Sequence, residues 1–405
     1  MSKSLHRAKR AKNDEFYTLY EDIEKEVKHY RYLFKDKVVY LPCDDPYKSM
    51  FWTFFLNNFE ELGIKKLHAT CYEPDKNLRG LHASYDGQNY PKIEYLKGDG
   101  DFRSDECIKI LKDCDIVVTN PPFSLFREFY DILQLNKKNF LIVGNMQSCI
   151  YKNVFPYIKN NKVWIGYEDV IKKFRTPDGT LKNFGNVCWF TNLYNLRYGS
   201  ELELKKKYVE SEYKKYANFD AILVDKIEDI PHDYDGIMAV PLSFLKKHNL
   251  DQFKIVSYST ENDFLVKNGV KPLGDGIMQK IKEQGIKGHY SSGMIHLYTI
   301  EDEKIVFPYT KLFIKAIRCN RESAFNAVDK NGRVLKIGDY VKWKSYCKAG
   351  GTIVDIFCEN GVAVYIEEHL RDYFQFSSYN STSLEYEGNV SDVHLKKLLD
   401  RYRGK

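Results

Sequence analysis

The stretch of residues 115–123 constrains the fold of this chain more than any other. Asp115 and a β-branched, mainly apolar run, residues 116–119, lead directly into Asn120, two prolines and Phe123. A short apolar run of this kind that stops at proline is typical of a buried strand. In an open α/β sheet, the loop after the carboxyl end of a parallel strand carries the chemistry. The stretch therefore predicts a central strand that delivers Asn120 to a ligand site.

The side chains of this loop, residues 120–123 and called the acceptor loop below, suit a planar amino group. Two prolines fix φ twice and remove two backbone donors, so the carbonyls of Asn120 and Pro121 are expected to face a ligand. The Asn120 amide adds a side-chain acceptor, and Phe123 offers a ring for a base to stack on. The competing interpretation of Pro122 and its neighbours is a proline-rich loop that merely closes a core strand.

The acceptor loop resembles the Asn-Pro-Pro-Phe signature of amino-group methyltransferases that use S-adenosylmethionine. Residues 43–46, Cys-Asp-Asp-Pro, follow the first predicted strand at the place where most such enzymes carry a glycine-rich loop. Glycines there let the backbone approach a pyrophosphate. S-adenosylmethionine has no phosphate and carries a sulfonium and an ammonium, so the carboxylates of this acidic loop (residues 43–46) make electrostatic sense. A simple Asp-Asp-Pro turn is the alternative.

Further cofactor candidates follow other predicted strands. Glu73 ends the second strand, where an acidic residue commonly bridges ribose hydroxyls, although a surface glutamate gives the same pattern. Glycines flank carboxylates in residues 98–104, which predicts a tight loop in which Asp99 or Asp101 accepts from an adenine amino group and Phe102 packs on the ring. The predicted cofactor set is Cys43, Asp44, Asp45, Glu73, Asp99, Asp101 and Phe102, with Phe16 and Tyr17 as weaker members.

Strands and helices are predicted to alternate through the first half of the chain. That alternation is typical of an α/β fold with a parallel, doubly wound, Rossmann-like sheet. Ser104 is a candidate N-cap for the helix before the central strand. The predicted strands are residues 37–43, 66–72, 115–119, 139–144, 162–166 and 186–191, and the main helices are residues 47–62 and 124–135.

The pattern changes after residue 318. With 405 residues the chain is long enough for two domains. Residues 334–343, 351–357 and 361–366 are predicted strands separated by turn signals, which favours a small SH3-like β-barrel closed by a helix over residues 393–402. The predicted domains are a basic arm (residues 1–13), a catalytic domain (14–318) and the barrel (325–405).

Basic segments with interleaved aromatics follow the acceptor loop, in a chain with a net charge of +6. Such segments suit contact with phosphates plus stacking on bases, although a solvated helix face gives the same pattern. DNA recognition is expected in residues 165–185, 200–220 and 250–318. The candidate DNA-binding residues are Arg10, Lys172, Lys173, Arg175, Lys206 and Lys214.

The nine cysteines and ten histidines show no metal-ligand spacing. The irregular thiols favour a reducing compartment and exclude a disulfide framework, so we expect no metal. No apolar stretch approaches the length of a membrane span, and the N-terminus lacks the apolar segment of a secretory signal. These features predict a cytoplasmic protein of a bacterium or a phage-infected cell.

Residues 5–318 as a whole resemble the EcoRI family of adenine-specific DNA methyltransferases. That family shares the Cys-Asp-Asp-Pro departure from the glycine-rich loop. The resemblance implies methyl transfer from S-adenosylmethionine to N6 of a flipped-out adenine in double-stranded DNA. The segments that carry it are residues 14–18, 36–40, 43–46, 98–104, 115–128, 235–238 and 240–241.

Three other functions fit the same residues. The acceptor could be adenine in RNA or a glutamine side chain, or the chain could bind DNA with an idle pocket. The continuation of the acceptor loop through Ser124 to Glu128 favours the DNA enzymes over these. Restriction protection, phage self-protection and regulation all fit a DNA methyltransferase, and the oligomeric state stays open.

Overall fold

The computed structural model describes residues 17–75, 77–168, 171–176, 179–193, 202–250 and 252–317, together with strand segments of the C-terminal part. The chain divides into two compact units. The first comprises residues 1–197, 203–248 and 255–315, and the second comprises residues 198–202, 249–254 and 316–405.

A ten-stranded sheet dominates the first unit, with the order β1-β9-β10-β7-β6-β2-β3-β4-β5 and with β8 paired to β10. Its strands are β1 (Tyr17–Thr18), β2 (Val38–Leu41), β3 (Lys66–Cys71), β4 (Leu81–Tyr85), β5 (Lys92–Tyr95), β6 (Ile116–Thr119), β7 (Asn139–Asn145), β8 (Trp164–Ile165), β9 (Ile171–Arg175) and β10 (Leu181–Thr191). The helices between them are α1 (Tyr20–Val27), α2 (Met50–Asn57), α3 (Asp105–Asp113), α4 (Phe126–Leu135) and α5 (Phe155–Lys159).

The predicted parallel arrangement is confirmed for the four central strands. β3, β2, β6 and β7 are neighbours, and each adjacent pair is parallel. The prediction is wrong at both edges, where β4, β5, β9 and β10 pair antiparallel. The connection from β3 to β4 is shorter than the dozen or so residues that a parallel crossover needs, so β4 must turn back beside β3.

Local sequence accounts for the helix starts around the central strands. Ser104 caps α3 as predicted, because its Oγ accepts from the backbone N–H of Cys107. Ser49 caps α2 in the same way through the N–H of Phe51. The helix predicted over residues 47–62 is shorter than expected, since turns replace it after Asn57.

One apolar core packs the helices against the sheet. Phe51, Phe54 and Phe55 of α2 are buried against it, together with Trp189 of β10 and Val118 of β6. Burying side chains of this size supplies most of the driving force that orders the central strands. The core thereby fixes the ends of β2 and β6, from which the acidic and acceptor loops emerge.

A second, four-stranded sheet has the order β11-β12-β16-β13. Its apolar cluster includes Ala239 of β12 and Phe313 of β16. The elements of this part are β11 (Ala221–Leu223), β12 (Ile237–Pro241), β13 (Phe253–Tyr258), α6 (Asn262–Lys267), α7 (Asp275–Glu283), the hairpin β14 (Thr299–Glu301) and β15 (Lys304–Val306), and β16 (Lys311–Ala316).

The C-terminal strands form a five-stranded antiparallel sheet with the order β20-β19-β18-β17-β21. Strands are present in all three predicted stretches. Closure into an SH3-like barrel stays a prediction, and the predicted helix over residues 393–402 lies outside the described residues. The strands are β17 (Asp339–Lys342), β18 (Gly350–Cys358), β19 (Gly361–Ile366), β20 (Gln375–Asn380) and β21 (Glu385–Asn389).

Within the described part of the chain, no helix is both long enough and apolar enough to cross a bilayer.

Candidate active site

The order of the central strands creates a crevice at their carboxyl ends. The chain passes from β2 to β3 on one side of β2 and later returns to β6 on the other side. Neighbouring connections therefore leave in opposite directions at this point, and open α/β sheets bind their ligands at such a switch point. The acidic loop follows β2, and the acceptor loop follows β6.

The acceptor loop leaves a fully buried strand and runs into α4. All four residues of β6 are buried, whereas Asn120, Pro122 and Phe123 are half-buried. The carbonyl of Pro122 accepts from the N–H of Leu125 at 2.9 Å, which forms a single 3-10 turn before α4. This turn fixes the direction in which the loop leaves the sheet. The loop follows the carboxyl end of a parallel strand, as the sequence predicts.

The ring of Phe123 lies edge-on to Phe174 of β9, with 6.5 Å between the ring centroids. Phe174 is fully buried and in turn meets the ring of Phe184 edge-on at 5.5 Å. β9 and β10 therefore form one wall beside the acceptor loop. Tyr17 belongs to the same wall, since β1 pairs with β9 through Tyr17 and Arg175. Phe16 and Arg10 lie outside the described residues.

Asp44 of the acidic loop is buried, with a relative exposure of 5%. One carboxylate oxygen accepts from Oγ of Ser49 at 2.6 Å, and the other accepts from Oγ1 of Thr119 at 2.7 Å. Its backbone N–H donates to the carbonyl of Thr70 at 2.9 Å. The carboxylate thus links the acidic loop to the last residue of β6.

Burial raises the pKa of Asp44 to about 6, because desolvation of the carboxylate outweighs its hydrogen bonds with Ser49 and Thr119. The neighbouring Asp45 is half-buried, and its side chain contacts the residues that directly follow the acidic loop. It accepts from the N–H of Tyr47 at 2.9 Å and pairs with Lys48 at 3.1 Å. The two carboxylates, adjacent in sequence, therefore have different surroundings.

The raised pKa of Asp44 predicts that the ionised form of this carboxyl group destabilises the folded protein. The folded pKa of about 6 lies above the ordinary value of 3.8, so the carboxyl favours folding when protonated, and this contribution is lost as the pH rises through about 6. We expect Asp44→Asn to raise the free energy of unfolding by about 2 kcal/mol at about pH 8. Denaturant unfolding of both proteins checks this, and the gain should vanish near pH 4. A less stable variant at pH 8 would contradict it.

The predicted tight loop at residues 98–104, called the glycine loop below, is present and packs on the end of β3. Gly100 has a φ of +79°, and a Cβ at this position would lie 2.1 Å from the carbonyl oxygen of Cys71. The N–H of Glu73 donates to the carbonyl of Asp99 at 2.8 Å. These contacts place Glu73 and Asp99 side by side at the carboxyl end of β3.

Asp99 and Asp101 differ in their partners. The carboxylate of Asp101 accepts twice from Arg103, at 2.9 and 2.5 Å, and Arg103 also donates to Glu128 of α4 at 2.6 Å. Both carboxylates raise the pKa of Arg103, which stays charged. Asp99 is exposed and has no cation within ion-pairing distance among the described residues. Of the two predicted acceptors, Asp99 is therefore better placed to bind a ligand.

Phe102 is 7% exposed and meets Phe129 of α4 edge-on at 5.1 Å. The ring contact and the Asp101–Arg103–Glu128 pairs tie the glycine loop to the helix that follows the acceptor loop. Cys43 is half-buried, and burial together with the neighbouring Asp44 raises the pKa of its thiol well above the ordinary value. A thiol in these surroundings stays protonated and is a poor nucleophile.

The predicted DNA-binding residues fall into two classes. Lys172, Lys173 and Arg175 of β9 are exposed and have no carboxylate within ion-pairing distance among the described residues. In contrast, Lys206 pairs with Asp229 at 3.6 Å and Lys214 with Glu301 at 2.7 Å. Because the carboxylates partly neutralise them, the ion-paired lysines are expected to interact less strongly with phosphates.

β9 and β10 form what we call the basic hairpin, residues 171–175 and 181–191. Its register shifts between Asn183 and Val187, where residues 184–186 lie opposite Lys172. Such a bulge twists a strand pair and re-aims its side chains. The first half of β10 extends past β7, because β7 pairs with residues 187–191 of β10, whereas residues 181–183 pair with β9.

Sequence reasoning missed the partners of Asp44, namely Thr119 and Ser49. Ser49 carried one usable signal, because a serine directly before an apolar run is a typical N-cap. Thr119 carried none that separates it from an ordinary strand residue. No group of three or more potential metal ligands occurs among the described residues.

Comparison with known proteins finds close relatives. A family model described as adenine-specific methyltransferase EcoRI matches residues 4–316. Type II methyltransferase M.EcoRI of Escherichia coli is 44% identical over 291 residues, which cover 64% of this chain and 89% of that protein. Type II methyltransferase M.MgeORF184P of Mycoplasma genitalium is 38% identical over 303 residues, 68% of this chain and 94% of that protein.

Type II methyltransferase M.MpnI of Mycoplasma pneumoniae is 40% identical over 272 residues, which cover 62% of this chain and 84% of that protein. No solved structure matches the chain significantly. The family match ends with β16, so the C-terminal five-stranded sheet lies beyond it.

Proposed function

Because the chain belongs to the EcoRI family of adenine-specific methyltransferases, we propose that the crevice at the carboxyl ends of β2, β3 and β6 is its catalytic site. The protein is a site-specific DNA methyltransferase that acts on adenine. The observation that carries the proposed site is the position of the acceptor loop, which leaves β6 at the switch point of the sheet, next to a set of carboxylates.

The carboxylates suit the methyl donor that this family implies, S-adenosylmethionine. Asp45 follows β2, Glu73 follows β3 and Asp99 lies in the glycine loop. Together they give this edge of the sheet a negative character. A cationic ligand without a phosphate fits such an edge better than a nucleotide does. We assign Glu73 to the ribose hydroxyls, Asp99 to the adenine amino group and Asp45 to the cationic end of the donor.

When bound, S-adenosylmethionine supplies a methyl group on a positively charged sulfur. The protein's task is to present the adenine N6, whose lone pair is delocalised into the ring and is a poor nucleophile. The side-chain carbonyl of Asn120 and the backbone carbonyl of Pro121 accept the two N6 hydrogens and favour a pyramidal nitrogen. Positioning of this kind supplies most of the acceleration.

The target adenine must leave the helix before this can happen. N6 is paired inside a duplex, so the base is flipped out into the site, as enzymes that modify bases commonly require. Phe123 then stacks on the flipped base, and Pro122 keeps the loop rigid beneath it. No covalent enzyme intermediate is needed, which agrees with the protonated state of Cys43.

The basic hairpin is the surface that we assign to the DNA backbone. Three of its cations, Lys172, Lys173 and Arg175, have no competing carboxylate among the described residues. The hairpin also forms the wall next to Phe123 through Phe174. Phosphate contacts at this place would hold the duplex beside the site that receives the flipped base.

The cofactor assignment predicts a specific loss of binding in Glu73→Gln. Removing the charged acceptor of a ribose hydroxyl should raise the dissociation constant for S-adenosylmethionine by roughly 10- to 100-fold. Equilibrium binding of S-adenosylmethionine to the purified protein measures it, with Glu60→Gln, an exposed glutamate after α2, as the matched control. Equal affinities of Glu73→Gln and the unmodified protein would remove Glu73 from the site.

The matched proteins favour DNA over the other acceptors considered above. The family description names adenine, and the three relatives carry Type II methyltransferase names. Those names indicate the modification enzyme of a restriction–modification system. An RNA adenine, a glutamine side chain and an idle pocket have no counterpart among these proteins.

A further inference from the structure

The hydrogen bonds of Asp44 join the two loops that the proposed reaction must align. Thr119 is the last residue of β6, and its peptide bond leads directly to Asn120. Its Oγ1 donates to one oxygen of Asp44 at 2.7 Å, while Oγ of Ser49 donates to the other oxygen at 2.6 Å. We call this set, Thr119–Asp44–Ser49, the buried bridge.

The surroundings of the buried bridge make it rigid. Thr119 is fully buried, Ser49 is 2% exposed and Asp44 is 5% exposed. Hydrogen bonds to an ionised carboxylate are stronger than neutral ones. Since all three side chains are locked by packing and by these bonds, the acidic loop and the start of the acceptor loop cannot shift independently.

The same hydrogen bonds give Asp44 a structural role. Both carboxylate oxygens already accept a hydrogen bond from within the protein, at lengths of 2.7 Å or less. Ser49 is in addition the N-cap of α2, because its Oγ accepts from Phe51. The bridge therefore connects strand β6, the acidic loop and the start of α2 through one carboxylate.

We propose that Thr119 is a positioning residue for methyl transfer, which holds Asn120 in register with the acidic loop through the buried bridge. The inference rests on the proposed function, because it assumes that these two loops hold the two reactants. Thr119 does not touch either reactant. It acts through Asp44 on one side and through the backbone of Asn120 on the other.

The proposal predicts that loss of the bridge lowers the rate of the chemical step and leaves the binding of each reactant nearly unchanged. Misplacing one reactant by a fraction of an ångström lowers the rate steeply, while each loop still binds its own reactant. A residue with a purely structural role would instead lower the amount of folded protein and leave the rate per folded molecule unchanged. The variant Thr119→Val removes the hydroxyl and keeps the β-branched shape that suits β6.

Thr191 provides a matched control. It is also a fully buried threonine of the same sheet, and its Oγ1 donates to the carbonyl of Phe140 at 2.7 Å. It pairs with Leu141 near the amino end of β7, so it lies at the edge of the sheet opposite the site. Its Oγ1 also accepts from the backbone N–H of Leu193 at 3.0 Å. Thr191→Val therefore loses a donated hydrogen bond comparable to that of Thr119, and one accepted bond in addition, without touching the bridge.

The experiment measures the single-turnover rate of methyl transfer to duplex DNA, and the equilibrium affinities for S-adenosylmethionine and DNA, in each variant. We expect Thr119→Val to lower the rate by roughly 10- to 100-fold while both affinities change less than about threefold. Thr119→Ser, which keeps the hydroxyl, should restore the rate. Thr191→Val should turn over as fast as the unmodified protein.

A normal rate in Thr119→Val, or an equal loss in Thr191→Val, overturns the proposal. So does a loss in Thr119→Ser as large as that in Thr119→Val. If Thr119→Val fails to fold, Thr119→Ala and Thr119→Ser give the same comparison. Failure of the proposed site is a different result, because Asn120→Ala would then transfer methyl groups at the normal rate.

Discussion

Replacing Asn120 with alanine is expected to lower the single-turnover rate of methyl transfer by roughly 100- to 1000-fold. The side-chain carbonyl of Asn120 is the only acceptor of the proposed pair that a substitution can delete, since the other is the backbone of Pro121. Without it the adenine N6 keeps its planar, delocalised form, and the base is held only by the carbonyl of Pro121 and by stacking on Phe123. The loss should appear in the chemical step.

The measurement uses labelled S-adenosylmethionine and unmethylated duplex DNA, with enzyme in excess over DNA. Asn136→Ala is a suitable control, because Asn136 follows α4 at its far end and its side chain, among the described residues, bonds only the carbonyl of Ile132. Binding of S-adenosylmethionine to Asn120→Ala should stay normal. A variant that methylates DNA at the normal rate would place the target base elsewhere.

The second large effect is expected from the basic hairpin. Exchanging Lys172, Lys173 and Arg175 together for glutamine removes three exposed cations that have no acidic partner among the described residues. Each phosphate contact releases counterions, so the slope of log affinity against log salt should become shallower by about 3. At moderate salt the affinity for DNA should fall by roughly 100-fold, since each contact contributes about 1 kcal/mol.

Three ion-paired lysines form the control for this prediction. Lys206, Lys214 and Lys215 are bound to Asp229, Glu301 and Glu210. Their exchange for glutamine changes the net charge by the same amount, yet it should leave the salt slope almost unchanged. Titration of a labelled duplex at several salt concentrations gives both slopes. Equal slopes for the two triple variants would show that net charge, and not the hairpin, determines DNA binding.

The sequence predicted the centre of the fold well because the central signals are local. The apolar run of β6, the stop at Pro121 and the cap at Ser104 each depend on a few neighbouring residues. The position of the acceptor loop directly after β6 could be predicted for the same reason, since its residues are contiguous. Its place beside the acidic loop follows from the parallel order of β2 and β6.

The edges of the sheet could not be predicted in this way. β10 pairs antiparallel with β7, a strand that is distant from it in the sequence. Neither periodicity nor turn residues show which strand β10 will pair with or in which direction. The register shift opposite Lys172 is equally non-local, because it is defined by the partner strand. The hairpin of β4 and β5 was not predicted, because these two short strands carry weak strand signals in the sequence.

The roles of individual charged residues were also hidden from sequence reasoning. Asp44 and Asp45 are identical neighbours in the sequence, and only the fold turns one of them inward to Thr119. Likewise, Lys173 and Lys214 lie in similar basic, aromatic segments. The partner of Lys214 is Glu301, 87 residues away, so that its neutralisation becomes visible only in three dimensions.

The most direct test of the account is the identity of the methylated nucleoside. The purified protein is incubated with labelled S-adenosylmethionine and unmethylated duplex DNA, and the DNA is digested to nucleosides and separated. We expect the label in N6-methyladenine, at one recurring sequence, and we expect it to be absent when Asn120 is replaced by alanine. Label in a cytosine derivative, or DNA without label despite tight binding of S-adenosylmethionine, would contradict the account.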